Sequence, residues 1–298
     1  MALDLGRVAR ERMHAKGSCR VPTILSIQSQ VAGARVGNSV AAFAMERLGV
    51  RVLQAPTVLM GRRPDHGPPG GGPIPAKRFA TLLQGLADDG WFAEIDAILT
   101  GYLGEAEQAP LILDAVAQIK AVNPKALFIC DPVLGDDGQL YVGQAIVDAV
   151  ATLANHADWV IPNAFELSVL AGKPTSDLAQ ARAAAKRLNK PVLCTSIRTA
   201  TGLGNLYAAP TGDWFCETPR LPRAPKGAGD LFTALFTARR WRGDALVMAL
   251  EGATGAVYDV IVRSLAADSE HLLLPEAQEV LQEPVTWPRA ISLEPKNG

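Results

Sequence analysis

Short apolar runs alternate with longer stretches of helical spacing through most of this chain. TILSIQ at Thr23–Gln28 reads as a buried strand, and GNSVAAFAMERLG at Gly37–Gly49 as a helix that a glycine ends. RVLQAPTVLM, Arg51–Met60, follows as extended chain. AILTG (Ala97–Gly101) and ALFICDPV (Ala126–Val133) are apolar runs of strand length, with the helical pattern QAPLILDAVAQIK between them. DWVIPN (Asp158–Asn163) and PVLCTS (Pro191–Ser196) repeat the strand signal. Such β-α alternation predicts a mostly parallel sheet covered by helices on both faces. Ligands of such sheets bind beyond the carboxyl ends of the strands. Here those ends are polar, at Ser29 and Gln30, Asp131, Asn163, and Thr195 with Ser196, so they are expected to gather at one site.

Two stretches break the rhythm. Gly61–Pro75, GRRPDHGPPGGGPIP, holds five prolines and five glycines, which excludes helix and central strand. It reads as a surface loop, either a lid or a tolerated insertion. From Asn205 to Glu217 the pattern becomes that of a β-hairpin turning at Thr211–Gly212. No repeat or linker divides the chain. Residues 1–20 are expected to form a poorly ordered extension and residues 21–298 a single domain.

Composition narrows the field only modestly. Of 298 residues, 48% are hydrophobic and 20% charged, with a formal net charge of −1, which signals neither a nucleic-acid nor a membrane surface. No apolar run approaches the ~18 residues of a membrane-spanning helix. The first twenty residues lack the apolar core of a secretory signal, and Asp4 and Glu11 interrupt any amphipathic targeting pattern. Cys19, Cys130, Cys194 and Cys216 show no CxxC spacing and read as reduced thiols of a cytoplasmic protein.

The chemistry concentrates in Pro225–Ala238, PKGAGDLFTALFTA, where a glycine turn enters an apolar helix. Helix N-termini expose unpartnered N–H groups and partial positive charge, and Gly227 and Gly229 let a ligand approach the backbone closely. That is a cradle for phosphate. Asp230 is either a first-turn carboxylate of the ordinary kind or a reacting group. No Walker lysine accompanies the cradle: Gly172–Lys173 lacks the earlier glycine of a P-loop. Gly202–Leu203–Gly204 lacks the third glycine of a dinucleotide site, and His14, His66, His156 and His271 show no metal-ligand spacing. GNSVA is not the GxSxG elbow of a serine hydrolase. What remains is the cradle with carboxylates at strand ends: Asp131, Asp136 five residues later, and Glu166 in the first turn of a helix. Glu166 either caps that helix or holds Mg²⁺, commonly through water.

These residues carry a resemblance. QSQVAGARVGNSVA, PTVLM, TGYLG, CDPVLGD, PNAFELSVLAGK, TS and KGAGDLFTALF stand in the order and spacing of the pyridoxal kinase branch of the ribokinase superfamily, over Val21 to Leu281. The resemblance implies a three-layer α/β/α fold with a central, mostly parallel sheet, paired as a homodimer. It implies transfer of the γ-phosphoryl group of ATP to the 5′-hydroxymethyl group of vitamin B6, with Mg²⁺ and a monovalent cation as a further candidate. Asp230 then matches the base, and Gly227, Ala228 and Gly229 the phosphoryl cradle. Asp131, Asp136 and Glu166 match the carboxylates around magnesium, with Asp131 also on the nucleotide side. Tyr141, Thr195, Ser196, Leu221 and Pro222 match nucleotide-side positions. Ser29, Thr57 and Tyr102 face the vitamer pocket, and Asp65 or His66 of the loop are candidate contacts to the ring.

Departures from the pattern are specific. Ala32 replaces a tyrosine, Ala228 and Ile161 replace threonines near the nucleotide phosphates, and Gly61–Pro75 lacks the family's aromatic cover. The alternatives are a hydroxymethylpyrimidine kinase, against which Asp230 argues because many of those resemble GxGC, and a catalytically weak B6-binding protein.

Overall fold

A computed structural model describes residues 20–294. Its centre is a ten-stranded sheet, with β1 (Thr23–Val31), β2 (Arg51–Met60), β3 (Gly71–Pro73), β4 (Ala97–Thr100), β5 (Leu127–Cys130), β8 (Trp159–Val160), β9 (Val192–Arg198), β10 (Gly202–Ala209), β11 (Gly212–Pro219) and β12 (Ile291–Ser292) in the order 12-11-10-9-8-5-4-1-2-3. The six strands from β9 to β2 are parallel, and the flanking pairs are antiparallel. A separate small ribbon joins β6 (Gly135–Asp136) to β7 (Gln139–Leu140).

The period of two along each strand sends alternate side chains to opposite helical layers. Ile24, Ala97, Leu99, Ile129 and Leu193 pack beneath α1 (Asn38–Arg47), α7 (Ala228–Trp241) and α8 (Leu246–Ala266). Leu25, Ile27, Ile98, Phe128 and Cys130 face α2 (Ala76–Asp88), α3 (Gln108–Val122) and α4 (Gln144–His156). Val192, Cys194 and Ile197 share a core with α5 (Ala164–Ala171) and α6 (Leu178–Arg187). α7 packs against both α1 and α8, and every residue from Leu231 to Arg239 is buried. A short α9 (Gln278–Gln282) completes the helices.

The expected elements appear, with boundary changes that have physical causes. β1 runs three residues beyond Gln28, with a register irregularity between Gln28 and Gln30. β8 is only two residues long because Pro162 has no N–H to donate to the ladder; Ile161 and Thr195 still bond across it, to Cys130 and Pro162 carbonyls. The hairpin turns one residue earlier than expected, since Ala209 pairs with Gly212 around Pro210–Thr211. Within Gly61–Pro75 a 3₁₀ turn forms at Pro64–His66, and β3 pairs only with β2 at the sheet edge, where proline is tolerated. Cys130, Cys194 and Cys216 are buried free thiols. Residues 1–19, which hold most of the expected extension and Cys19, lie outside the described residues; Arg20 pairs with Glu94 and Asp96.

Candidate active site

The parallel register brings the polar strand ends together. Ile27 pairs with Thr100, Thr100 with Cys130, Cys130 with Val160, and Asn163 bridges Thr195. The start of α7 faces this row through Asp131, whose Oδ2 accepts a hydrogen bond from Thr233 Oγ1 at 2.7 Å.

Gly227 opens α7 with φ of 96°, and a Cβ there would stand 2.0 Å from the Arg35 carbonyl oxygen. Both facts require glycine. No side chain caps this helix, and a Cβ on Gly229 would meet nothing within 4 Å. The first-turn N–H groups therefore lack a side-chain acceptor, in a place an anion can reach. Asp230 does not cap its own helix. Its Oδ2 accepts from the N–H of Gly37, 193 residues earlier, at 2.9 Å. Burial pushes this carboxyl up to about 6, against the opposing effect of the Gly37 bond.

Gly37 is as constrained as Gly227. Its φ is 55°, and a Cβ would lie 2.3 Å from Ser29 Oγ and 2.4 Å from Ser29 O. A buried polar network fixes this corner: Ser26 Oγ donates to Asn38 Oδ1 at 2.7 Å, Gln28 Nε2 to Ser26 Oγ at 2.9 Å, and Asn38 Nδ2 to the Gln28 carbonyl at 3.2 Å. The base candidate is thus held from the end of β1, beside Ser29.

Glu166 caps its helix and bonds across to a second segment. It forms a capping box with Asn163, accepting from Asn163 N at 2.8 Å while Asn163 Oδ1 accepts from Glu166 N at 2.9 Å. Its other oxygen accepts from Leu134 N at 3.0 Å and Gly135 N at 3.4 Å, tying α5 to the loop after β5. Burial nevertheless raises its carboxyl to about 8. Asp131 is raised well above the usual range by burial, then by the charges of Glu166 and Asp230, against the Thr233 bond. Two buried acids that disfavour each other's charge form an oxygen-only site suited to a hard cation. Among the described residues no three His, Cys, Asp or Glu side chains form a ready cage. A magnesium ion here would take few carboxylates and complete its shell with water and phosphate oxygens.

On the other side of the cradle lies a cleft of ≈ 980 Å³, whose lining includes Asp136, Thr195, Ser196, Leu221, Pro222, Ala228 and Gly229. Ser196 has φ of 62°, a strained value for a residue with a side chain, and it sits where β9 meets the cleft. Tyr141 lies outside the lining. Its hydroxyl accepts from Lys226 Nζ at 2.6 Å, and Asp136 lies 3.8 Å from the same ammonium. Burial opposes the charge on Lys226, but these two partners outweigh it and raise its pKa.

The vitamer-side positions separate. Ser29 is buried against Gly37; Thr57 is fully buried and spends its hydroxyl on the Tyr102 carbonyl at 2.6 Å. Tyr102 is half-buried, and burial raises its phenol. Asp65 and His66 lie on the exposed 3₁₀ turn, with Asp65 bonded to Arg63 and held below the usual carboxylate range chiefly by that bond. The residues that sequence reading passed over are Gly37, Thr233, Lys226 and Arg63. Thr233 was within reach, because a position three after Asp230 shares its helical face. Gly37 was quoted only as part of a motif, since nothing local to it points to Asp230.

The family model for phosphomethylpyrimidine kinase matches residues 45–274. Pyridoxal kinase PdxY of Pseudomonas fluorescens (strain Pf0-1) is 38% identical over 277 residues, covering 89% of this chain and 96% of that protein. The chain belongs to the pyridoxal kinase family. The PdxY of Corynebacterium diphtheriae is 37% identical over 88% of this chain and 96% of its own length. Pyridoxal kinase from Leishmania donovani, solved in complex with ADP and pyridoxamine, superposes with a TM-score of 0.87 at 28% identity, covering 91% of this chain and 99% of that one. The α/β/α architecture is therefore the ribokinase-like one.

Proposed function

We propose that this chain transfers the γ-phosphoryl group of ATP to the 5′-hydroxymethyl group of vitamin B6 vitamers. The observation that carries the reading is the reach of Asp230 from the uncapped start of α7 to Gly37, which places one carboxylate between a phosphate cradle and Ser29. The curated relatives named pyridoxal kinase support it.

A primary alcohol loses its proton only as its oxygen bonds to phosphorus, so a positioned carboxylate acts mainly in the transition state, contributing ~10²–10⁴ in rate. A value of about 6 leaves Asp230 mostly ionised at neutral pH yet basic enough to accept that proton. The N–H groups of Ala228 and Gly229 receive the charge that spreads over the phosphoryl oxygens. Asp131 and Glu166 would hold Mg²⁺, with Asp136 at the cleft edge. The ion supplies charge neutralisation on the phosphates when bound. Thr195, Ser196, Leu221 and Pro222 line the nucleotide side. Ala228, half-buried, and Ile161, 2% exposed in the core, offer no hydroxyl to the phosphates. Ser29 and the Thr57–Tyr102 clamp form the vitamer side. By the resemblance of its sequence the chain works as a cytoplasmic homodimer.

Coupled ADP release with pyridoxal, pyridoxine, pyridoxamine and hydroxymethylpyrimidine tests the assignment. Turnover of at least one B6 vitamer in preference to the pyrimidine is expected. Turnover confined to hydroxymethylpyrimidine would move the protein to thiamine synthesis, and no turnover with any acceptor would remove the kinase reading.

A further inference from the structure

Within the Gly61–Pro75 loop the exposures are inverted relative to expectation. Arg63 keeps its side chain 13% exposed, while the Asp65 side chain is 52% exposed. The carboxylate grips the guanidinium along one edge: Arg63 Nε donates to Asp65 Oδ1 at 2.9 Å and Nη2 donates to Oδ2. His66 Nε2 lies 3.3 Å from the same Nη2. Among the described residues Nη1 has no hydrogen-bond partner. The bonds that close the loop use other groups, namely Gly61 N and Arg62 N on Pro69 O, and Arg62 Nε on Pro68 O. The Arg63 guanidinium therefore takes no part in the bonds that close the neck of the loop.

Its position lies beside the start of α7. The His66 ring centroid is 6.5 Å from that of His271, and Cδ1 of the next residue, Leu272, stands 3.4 Å from the place a Gly227 Cβ would occupy. Arg63 is also near enough to Lys226, which precedes Gly227, for its charge to oppose that ammonium. Two cations thus lie near an uncapped helix N-terminus, and the arginine comes from the loop that follows β2.

We propose that Arg63 contacts the phosphoryl group on the vitamer, both as it migrates and in the phosphorylated product, and that Asp65 is a positioning residue that orients the guanidinium. The inference rests on the kinase reading. In the transfer the vitamer oxygen bonds to phosphorus as the bond to the ADP oxygen breaks; ADP leaves with that electron pair and the hydroxyl proton passes to Asp230. The charge on the equatorial oxygens suits a planar, multiply donating guanidinium better than a point charge.

The test is equilibrium binding of pyridoxine 5′-phosphate against pyridoxine, which carry no aldehyde to react with lysines, with steady-state kinetics alongside. A lost charge-assisted contact of this kind is expected to weaken binding of the phosphorylated form ~10-fold or more in Arg63→Gln. Pyridoxine affinity and vitamer KM should stay within about twofold while kcat falls about tenfold. Arg63→Lys should recover part of the loss, and Asp65→Asn should show a smaller loss in the same direction. Unchanged discrimination between the two forms in Arg63→Gln, or equal weakening of both, overturns the proposal. The kinase reading is judged separately, by whether the wild-type chain turns over any vitamer at all; its failure overturns both.

Discussion

Asp230 provides the sharpest test of the site, because burial has placed its pKa at about 6 rather than in the ordinary carboxylate range. For kcat/KM with respect to vitamer at saturating Mg-ATP, an essential base of this pKa gives an acid limb with its midpoint near 6. Activity then falls about tenfold per pH unit below it, leaving roughly a tenth at pH 5. A carboxylate at its ordinary value of 3.8 would give a flat profile over the same range. Asp230→Asn keeps an oxygen for the Gly37 N–H and removes the titrating group. Its kcat should fall ~10²–10⁴ and its acid limb should vanish. A limb due to protonation of ATP would persist in the variant, which makes the comparison decisive.

Stability supplies a second readout with a fixed sign. The folded state holds the Asp230 proton more tightly than the unfolded chain. This contribution therefore favours folding below the unfolded pKa near 4 and is lost as pH rises through about 6. The shift of about two units corresponds to at most ~3 kcal/mol. Asp230→Asn should accordingly raise Tm by a few degrees at pH 7 and leave it unchanged near pH 4. Near-wild-type kcat in the variant, with or without the Tm gain, would return Asp230 to a purely structural carboxylate.

Two further outcomes follow from the same geometry. Gly229→Ala meets nothing within 4 Å and has no positive φ to strain, so stability should hold or rise by up to ~1 kcal/mol while kcat drops, separating phosphoryl approach from folding. Glu166→Gln should raise the half-saturating free Mg²⁺ in an activity titration. It should also cost ~1–3 kcal/mol of stability, because one of its oxygens that accept backbone N–H groups becomes a donor; an unshifted Mg²⁺ requirement defeats its role at the metal.

How far the sequence could be read depended on the range of each interaction. The mostly parallel sheet and the gathering of Asp131, Asn163 and Thr195 follow from local periodicity and the rules of parallel sheets. The capping box of Asn163 and Glu166 is a three-residue pattern and equally legible. The bond from Gly37 to Asp230 spans 193 residues and leaves no local trace, so the glycine that holds this carboxylate was visible only as part of a motif. In the loop, composition correctly excluded a central strand, leaving a 3₁₀ turn and the edge strand β3, but it could not show that Asp65 would turn to Arg63 two residues away. A short-range ion pair in a surface loop gains little free energy, so sequence carries little signal for it.

The corner made by Ser26, Gln28, Asn38 and Gly37 and the loop that follows β2 answer to different parts of the molecule. The corner is locked into buried strand and helix, whereas the loop closes largely on itself through bonds among Gly61, Arg62, Pro68, Pro69 and Gly70. The two can therefore mutate independently. A change in the cover leaves the bond from Gly37 to Asp230 in place. The cover is in that sense a replaceable part, mounted on a corner whose bonds it does not share.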